Sequence, residues 1–169
     1  GVPRDELWAP LVDGRDFVKE RLNVAAAALQ QRIRSLESAA EDAERGFRVG
    51  TVTQLARSEA VSVVEESRGE MNLLAQKLML RRQFLEEQLS PEAITRRFQR
   101  VELVVQLQGA ETQLRLAEER MALAEKQHVS GVASDIEVTR ARLDVMERHL
   151  ERVQLARQLQ QLQVREKKP

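Results

Sequence analysis

Apolar residues recur along the first part of the chain at steps that alternate between four and three. These residues are Leu22, Ala26, Leu29, Ile33, Leu36, Ala40, Ala43 and Phe47. This spacing is the seam of a left-handed coiled coil, because it keeps one apolar stripe facing a partner helix. The pattern therefore predicts a long first helix that packs along another helix.

The same seam returns 81 residues later in the sequence. Its members are Leu103, Leu107, Ala110, Leu114, Ala117, Met121, Ala124 and His128. The shift also aligns Gly50 with Gly131 and Thr53 with Ser134. Glycine accepts the left-handed conformation in which many helices end, and a hydroxyl three residues later can cap the returning helix. The sequence thus predicts one helical hairpin written twice, with tips at the two glycines.

The two returning helices carry less regular stripes. In the second helix we expect packing by Val61, Val64, Met71, Leu74, Leu78 and Leu85. In the last helix a seam of Leu143, Met146, Leu150 and Val153 gives way to Leu155, Leu159 and Leu162. A stripe that shifts in this way predicts contact with more than one neighbour, within the chain or between chains.

Helix breakers divide the chain. Residues 1–14 contain prolines and glycines and predict an irregular segment. We expect Trp8 and Leu11 to pack this segment onto the helices. Ser90 and Pro91 form a third helix-start signal, because serine caps a helix and proline is tolerated at its first position.

The expected fold is all-α, with two long antiparallel helical hairpins that form an elongated, coiled-coil-like four-helix array. The first hairpin is predicted over residues 15–89, with its tip near 46–53. The second is predicted over residues 90–169, with its tip near 128–134. Each helix would have about 35 residues, which is typical of coiled coils and far above the average globular helix.

Composition supports this fold and excludes several functions. Aromatic residues make up 3% of the chain and charged residues 32%, which favours long helices over a sandwich or barrel. The 27 basic and 27 acidic side chains cancel, so binding to nucleic acid through its phosphates is not expected. Cysteine is missing, which excludes disulfides and zinc–thiolate sites. No apolar run in the sequence is long enough for a transmembrane helix.

The tips carry a motif with wide spacing. It reads Ala43, Phe47, Gly50, Thr53 and Ala60 in the first copy. It reads Ala124, His128, Gly131, Ser134 and Ala141 in the second copy, where histidine replaces the aromatic residue. The motif resembles the duplicated periplasmic hairpins of TolC-type outer-membrane efflux proteins. Val49-Gly50-Thr51 is similar to the tip tripeptide that meets the adaptor protein in that family.

The second tip is also similar to a neighbouring family. Gly131, Ser134, Glu137 and Ala141 match the hairpin pattern of periplasmic efflux adaptor proteins. Both families use the hairpin as a docking surface, and neither catalyses a reaction with it. The resemblance implies a periplasmic, non-enzymatic module with a protein partner, such as an efflux adaptor, at its tips. The implied contact residues are Phe47, Val49, Gly50, Thr51, His128, Gly131 and Val132.

Particular residues bear on a metal site and on an anionic partner. Glu125 and His128 have the Glu-x-x-His spacing of di-iron bundles, but the other histidine, His149, has Met146 at the matching position. We therefore expect no metal site, no cofactor and no enzyme. A basic cluster near Ser90 is expected to form a solvated end of the array. Its members are Lys77, Arg81, Arg82, Arg96, Arg97 and Arg100.

The main alternative is a structural or regulatory coiled-coil domain. It would be the soluble part of a membrane-anchored sensor or scaffold, and it would self-associate through its flank. The irregular stripes of the second and fourth helices would then form the interface between copies.

Overall fold

The structure is a computed structural model that describes residues 7–166, with side chains described for residues 7–164. Four helices occupy most of it: α1 (Phe17–Arg48), α2 (Gln54–Glu86), α3 (Pro91–Val129) and α4 (Asp135–Glu166). Across residues 7–166 there is no strand, so the all-α prediction is confirmed. The predictions that concern residues 1–6 and 167–169 fall outside the described residues.

Local sequence explains where the helices begin. Asp16 precedes α1, and its carboxylate accepts a hydrogen bond from the backbone N–H of Lys19 at 3.0 Å. Ser90 precedes α3 and accepts from the N–H of Ala93 at 3.2 Å, with Pro91 at the first helical position. Both side chains satisfy backbone donors that have no partner inside the helix.

The helices form a zigzag in chain order. α1 packs against α2, α2 against α3, and α3 against α4. Among the described residues no comparable interface joins α1 to α4, so the array is open and not a closed bundle. Ion pairs join neighbouring helices, with Arg68 on Glu37 at 2.6 Å between α2 and α1, and Arg142 on Glu125 at 2.8 Å between α4 and α3.

α1 and α3 bury the predicted seams. The buried members are Leu22, Leu29 and Ile33 in α1, and Leu103, Ala110 and Ala117 in α3. His128 is the exception, because its side chain is 44% exposed. It lies in the last turn of α3, where the chain is already reversing, and its ring bonds to the turn.

α2 contacts α1 on one side and α3 on the other. The predicted residues Val64, Met71, Leu74 and Leu78 are buried or partly buried. The prediction was wrong for Val61 and Leu85, which are 42% and 37% exposed. Ser62 and Ser67 are buried instead. A helix between two neighbours has two contact lines, and small residues on those lines let the backbones approach.

α4 differs most from the expectation. Its less exposed positions face α3, the helix against which it packs, and recur at steps of three and four: Val138, Ala141, Val145, Arg148, Arg152, Leu155, Leu159 and Leu162. The seam of Leu143, Met146, Leu150 and Val153 does not pack within the described chain, since these residues are 52%, 66%, 57% and 43% exposed. Only Leu155, Leu159 and Leu162 of the two predicted sets face α3.

The main hydrophobic cluster lies at the end of the array opposite the tips. It consists of Leu7, Val18, Leu22, Leu80, Ile94 and Phe98. Trp8 packs against this cluster as predicted. Leu11 does not, because it is 46% exposed beside a tight surface turn in which Val12 and Arg15 exchange backbone hydrogen bonds.

Arg81 is buried and does not belong to a solvated basic cluster. Only 1% of its side chain is exposed, and Nε donates to both carboxylate oxygens of Asp16 at 3.1 and 3.2 Å. Nη1 donates to the carbonyls of Leu7 and Ala9 at 2.8 and 2.6 Å. Burial alone would raise the pKa of Asp16, but hydrogen bonds from Arg81 and the Lys19 amide, with the charge of Arg81, lower the pKa below its ordinary value.

Candidate functional site: the paired tips

The first tip reverses the chain through a Schellman turn. Gly50 has φ of +78°, the left-handed conformation that glycine adopts without strain. Its N–H donates to the carbonyl of Phe47 at 3.1 Å, and the N–H of Thr51 donates to the carbonyl of Gly46 at 2.8 Å. These bonds satisfy carbonyls at the end of α1 that have no intrahelical partner.

The second tip repeats this geometry bond for bond. Gly131 has φ of +73°. Its N–H donates to the carbonyl of His128 at 2.9 Å, and the N–H of Val132 donates to the carbonyl of Gln127 at 2.8 Å. Each donor and acceptor lies 81 residues after its counterpart. The internal repeat therefore extends from the sequence to the backbone hydrogen bonds.

The return helices are capped by the predicted hydroxyls. Thr53 accepts from the N–H of Ala56 at 3.1 Å. Ser134 accepts from the N–H of Glu137 at 3.3 Å, and the Glu137 carboxylate accepts from the N–H and hydroxyl of Ser134 at 2.7 and 2.8 Å. The backbone hydrogen bond from Ser134, followed by that from its hydroxyl, lowers the pKa of Glu137. The second tip thus has a complete capping box, which the first lacks.

The two tips differ in the sizes of the residues at two corresponding positions. In the first tip Gly46 lies in the helix and Val52 in the turn, whereas the second has Gln127 and Ala133 at these positions. A Cβ on Gly46 would lie 2.5 Å from Cγ2 of Val52. The small residue and the large residue have exchanged places between the two copies.

The aromatic position of the motif bridges the two helices at each tip. In the first tip the guanidinium of Arg57 lies over the ring of Phe47, 4.5 Å from its centroid. In the second, His128 Nδ1 lies 3.0 Å from the carbonyl oxygen of Ala133, and Nε2 lies 3.3 Å from the carboxylate of Asp135. These two predicted contact residues therefore brace the tips from within.

Both tips lie at the same end of the array. Near the tips, Ser58 of α2 donates to Glu119 of α3 at 3.1 Å, and Arg120 pairs with Glu59 at 2.9 Å. Residues that follow the first tip thus meet residues that precede the second. Because α2 and α3 are antiparallel, both turns project from the same end.

Apolar side chains project from both turns. Val49 is 75% exposed in the first tip, and Val132 is 75% exposed in the second. The predicted residues Gly50, Thr51 and Gly131 are also exposed. Sequence reasoning missed Val129, which is 89% exposed. The sequence did carry a signal for this exposure. Val129 immediately precedes the second turn, at the position that the charged residue Arg48 occupies before the first turn.

The residues considered for a metal site are engaged elsewhere. The Glu125 carboxylate accepts from Arg142 at 2.8 and 3.1 Å, so it does not face a metal with His128. Within residues 7–166, no group of three or more histidine or acidic side chains is placed to hold a metal ion. None of the helices in this part of the chain combines the length and apolar character needed to cross a membrane.

Comparison of the chain with protein-family models, with curated proteins and with solved structures gives no significant match.

Proposed function

We propose that this chain is a non-enzymatic interaction module that docks partner helices through its two tips, as the periplasmic part of a TolC-like efflux protein does. One observation carries the proposal: two turns with the same hydrogen bonds lie at the same end of the array and expose Val49, Val129 and Val132. Exposed apolar side chains that cluster on a surface mark sites of protein contact.

The construction of the tips supports docking by a rigid surface. Each turn is closed by a glycine in the left-handed conformation and by a capped return helix, so little conformational entropy would be lost on binding. A partner that contacts both turns also gains from bivalency, because the second contact forms within the complex. Under this proposal the partner is a helical protein such as an efflux adaptor, and the module lies in the periplasm.

Charged substitutions at the tips test this function. We expect Thr51→Glu combined with Val132→Glu to abolish capture of a purified efflux-adaptor hairpin in a pull-down, since both side chains are exposed on the turns. Val24→Glu is a matched control, because Val24 is 70% exposed on α1, away from the tips. Equal capture by the unmodified chain, the double variant and Val24→Glu would contradict the docking proposal, as would capture by none of them.

A second candidate is a structural or regulatory coiled-coil domain that self-associates. One observation favours it: α4 presents an apolar stripe that the described chain leaves uncovered.

A further inference from the structure

α4 carries a second coiled-coil seam on the side that faces away from α3. Its apolar members are Ile136, Leu143, Met146, Leu150 and Val153, which are 64%, 52%, 66%, 57% and 43% exposed. With Thr139 between the first two, the steps alternate between three and four. This spacing fits another α-helix, because only a helix places side chains against it at every step.

We propose that α4 pairs with the α4 of a second copy as an antiparallel two-stranded coiled coil. This inference rests on the second candidate function, self-association, and gives it a geometry. The two-fold axis passes between Leu143 and Met146, so each packs against the other residue of the second copy. The proposed docking at the tips does not enter this inference.

The apolar pattern is self-complementary about this axis. Moving outward from the Leu143–Met146 layer, Thr139 meets Leu150 of the second copy, and Ile136 meets Val153 of the second copy. All five exposed apolar residues therefore enter the interface, with one threonine as the remaining position. Arg157 and Gln160, which follow on the same seam, lie outside it.

The charges beside the seam favour the same register. Arg140 and Glu147 are exposed. Arg140 acts electrostatically on Glu137 of its own helix, and Glu147 forms no hydrogen bond or ion pair within the described part of the chain. In the antiparallel pair Arg140 lies beside Glu147 of the second copy, and the symmetry makes this contact twice. A shift by one heptad would instead bring Glu147 beside Glu147 of the second copy, where like charges repel.

Parallel pairing would compete with contacts that form within the chain. It would require Arg140 to pair with Asp135, and Glu147 with Arg142, of the second copy. Asp135 already lies 3.3 Å from His128 and Arg142 already binds Glu125 at 2.8 Å. A parallel seam would also bring the two Arg157 side chains together. The antiparallel pair leaves these contacts in place and keeps the two Arg157 side chains apart.

Charge reversal tests the contact in solution. The seam covers only about two and a half heptads, so we expect a weak, concentration-dependent dimer in sedimentation velocity. Arg140→Glu alone and Glu147→Arg alone should each weaken self-association at least about tenfold, because both contacts become repulsive. An equimolar mixture of the two variants should restore dimers, as should the double variant. The helical circular dichroism of each variant should match that of the unmodified chain.

Disulfide trapping tests the direction, and the chain contains no cysteine of its own. Ile136→Cys and Val153→Cys variants of different tagged size should cross-link to each other. Neither should cross-link to itself, because the two Ile136 positions would lie about 25 Å apart along the axis. Cross-links between like positions would overturn the antiparallel pair while leaving self-association intact. Charge variants that dimerise normally would overturn the antiparallel pair alone. A chain that stays monomeric would overturn both the pair and self-association, whereas docking at the tips would be unaffected.

Discussion

At the first tip, Gly46 leaves the space that the side chain of Val52 occupies. We expect Gly46→Ala to destabilise the fold by about 1–3 kcal/mol, because the new methyl group would overlap a stiff, β-branched side chain. The free energy of unfolding, measured by urea denaturation, checks this expectation.

Two further variants separate the overlap from the general effect of removing a glycine. A Cβ on Gly109 in α3 would meet no atom within 4 Å. We therefore expect Gly109→Ala to stabilise the fold by about 0.5–1 kcal/mol. Val52→Ala in the Gly46→Ala background should recover most of the loss, since it reproduces the small turn residue Ala133 of the second tip. A Gly46→Ala variant as stable as Gly109→Ala would contradict the described contact.

At the same scale, the sequence predicted the turns more accurately than the surfaces around them. Gly50 and Gly131 were identified because a left-handed turn requires a particular residue type at a particular spacing. The bracing roles of Phe47 and His128 were not, because aromatic character does not say which way a ring points. Exposure of Val129 was indicated by its alignment with Arg48 across the repeat, and not by the apolar pattern, which does not record the path of the turn.

At the scale of helices, periodicity predicted which residues form stripes but not which neighbour each stripe meets. The seams of α1 and α3 are buried because each has a long partner in its own hairpin. α4 has two seams, and the sequence alone could not assign Leu143 to the outer one and Leu155 to the inner one. The buried Arg81 was missed for a related reason, since Asp16 lies 65 residues away in the sequence.

The bond between Arg81 and Asp16 ties the start of α1 to α2. We expect Asp16→Asn to lower the free energy of unfolding by about 3–5 kcal/mol, because it leaves the buried guanidinium without a counter-charge. Urea denaturation at neutral pH measures the loss. Asp16→Asn combined with Arg81→Met should be more stable than Asp16→Asn alone, since no buried charge remains. Equal stability of the two variants would argue against a buried ion pair.

The same bond predicts a pH dependence of known sign. The pKa of Asp16 is lowered in the folded chain, so its contribution to stability is present above the unfolded pKa and is lost as pH falls through the lower folded pKa. Below about pH 4, the stability difference between the unmodified chain and Asp16→Asn should therefore shrink. A stability difference between the two proteins that stays constant down to pH 2 would contradict the lowered pKa of Asp16.

At the scale of the whole molecule, the open zigzag separates two kinds of surface. The tips project from one end, and the outer seam of α4 runs along one flank. Association through the tips and association through the flank therefore give particles of different shape. This difference allows a measurement without any substitution.

The length of the dimer distinguishes the two surfaces. The bond between Arg142 and Glu125 places the centre of the proposed pairing about 30 residues, or about 45 Å, from the start of α3. An antiparallel dimer should then span about 90 Å. One copy, or a parallel dimer, should span about 60 Å, and a dimer joined through its tips about 120 Å. Small-angle X-ray scattering across a concentration series gives this maximum dimension. A dimer near 60 or 120 Å would be incompatible with antiparallel pairing through α4.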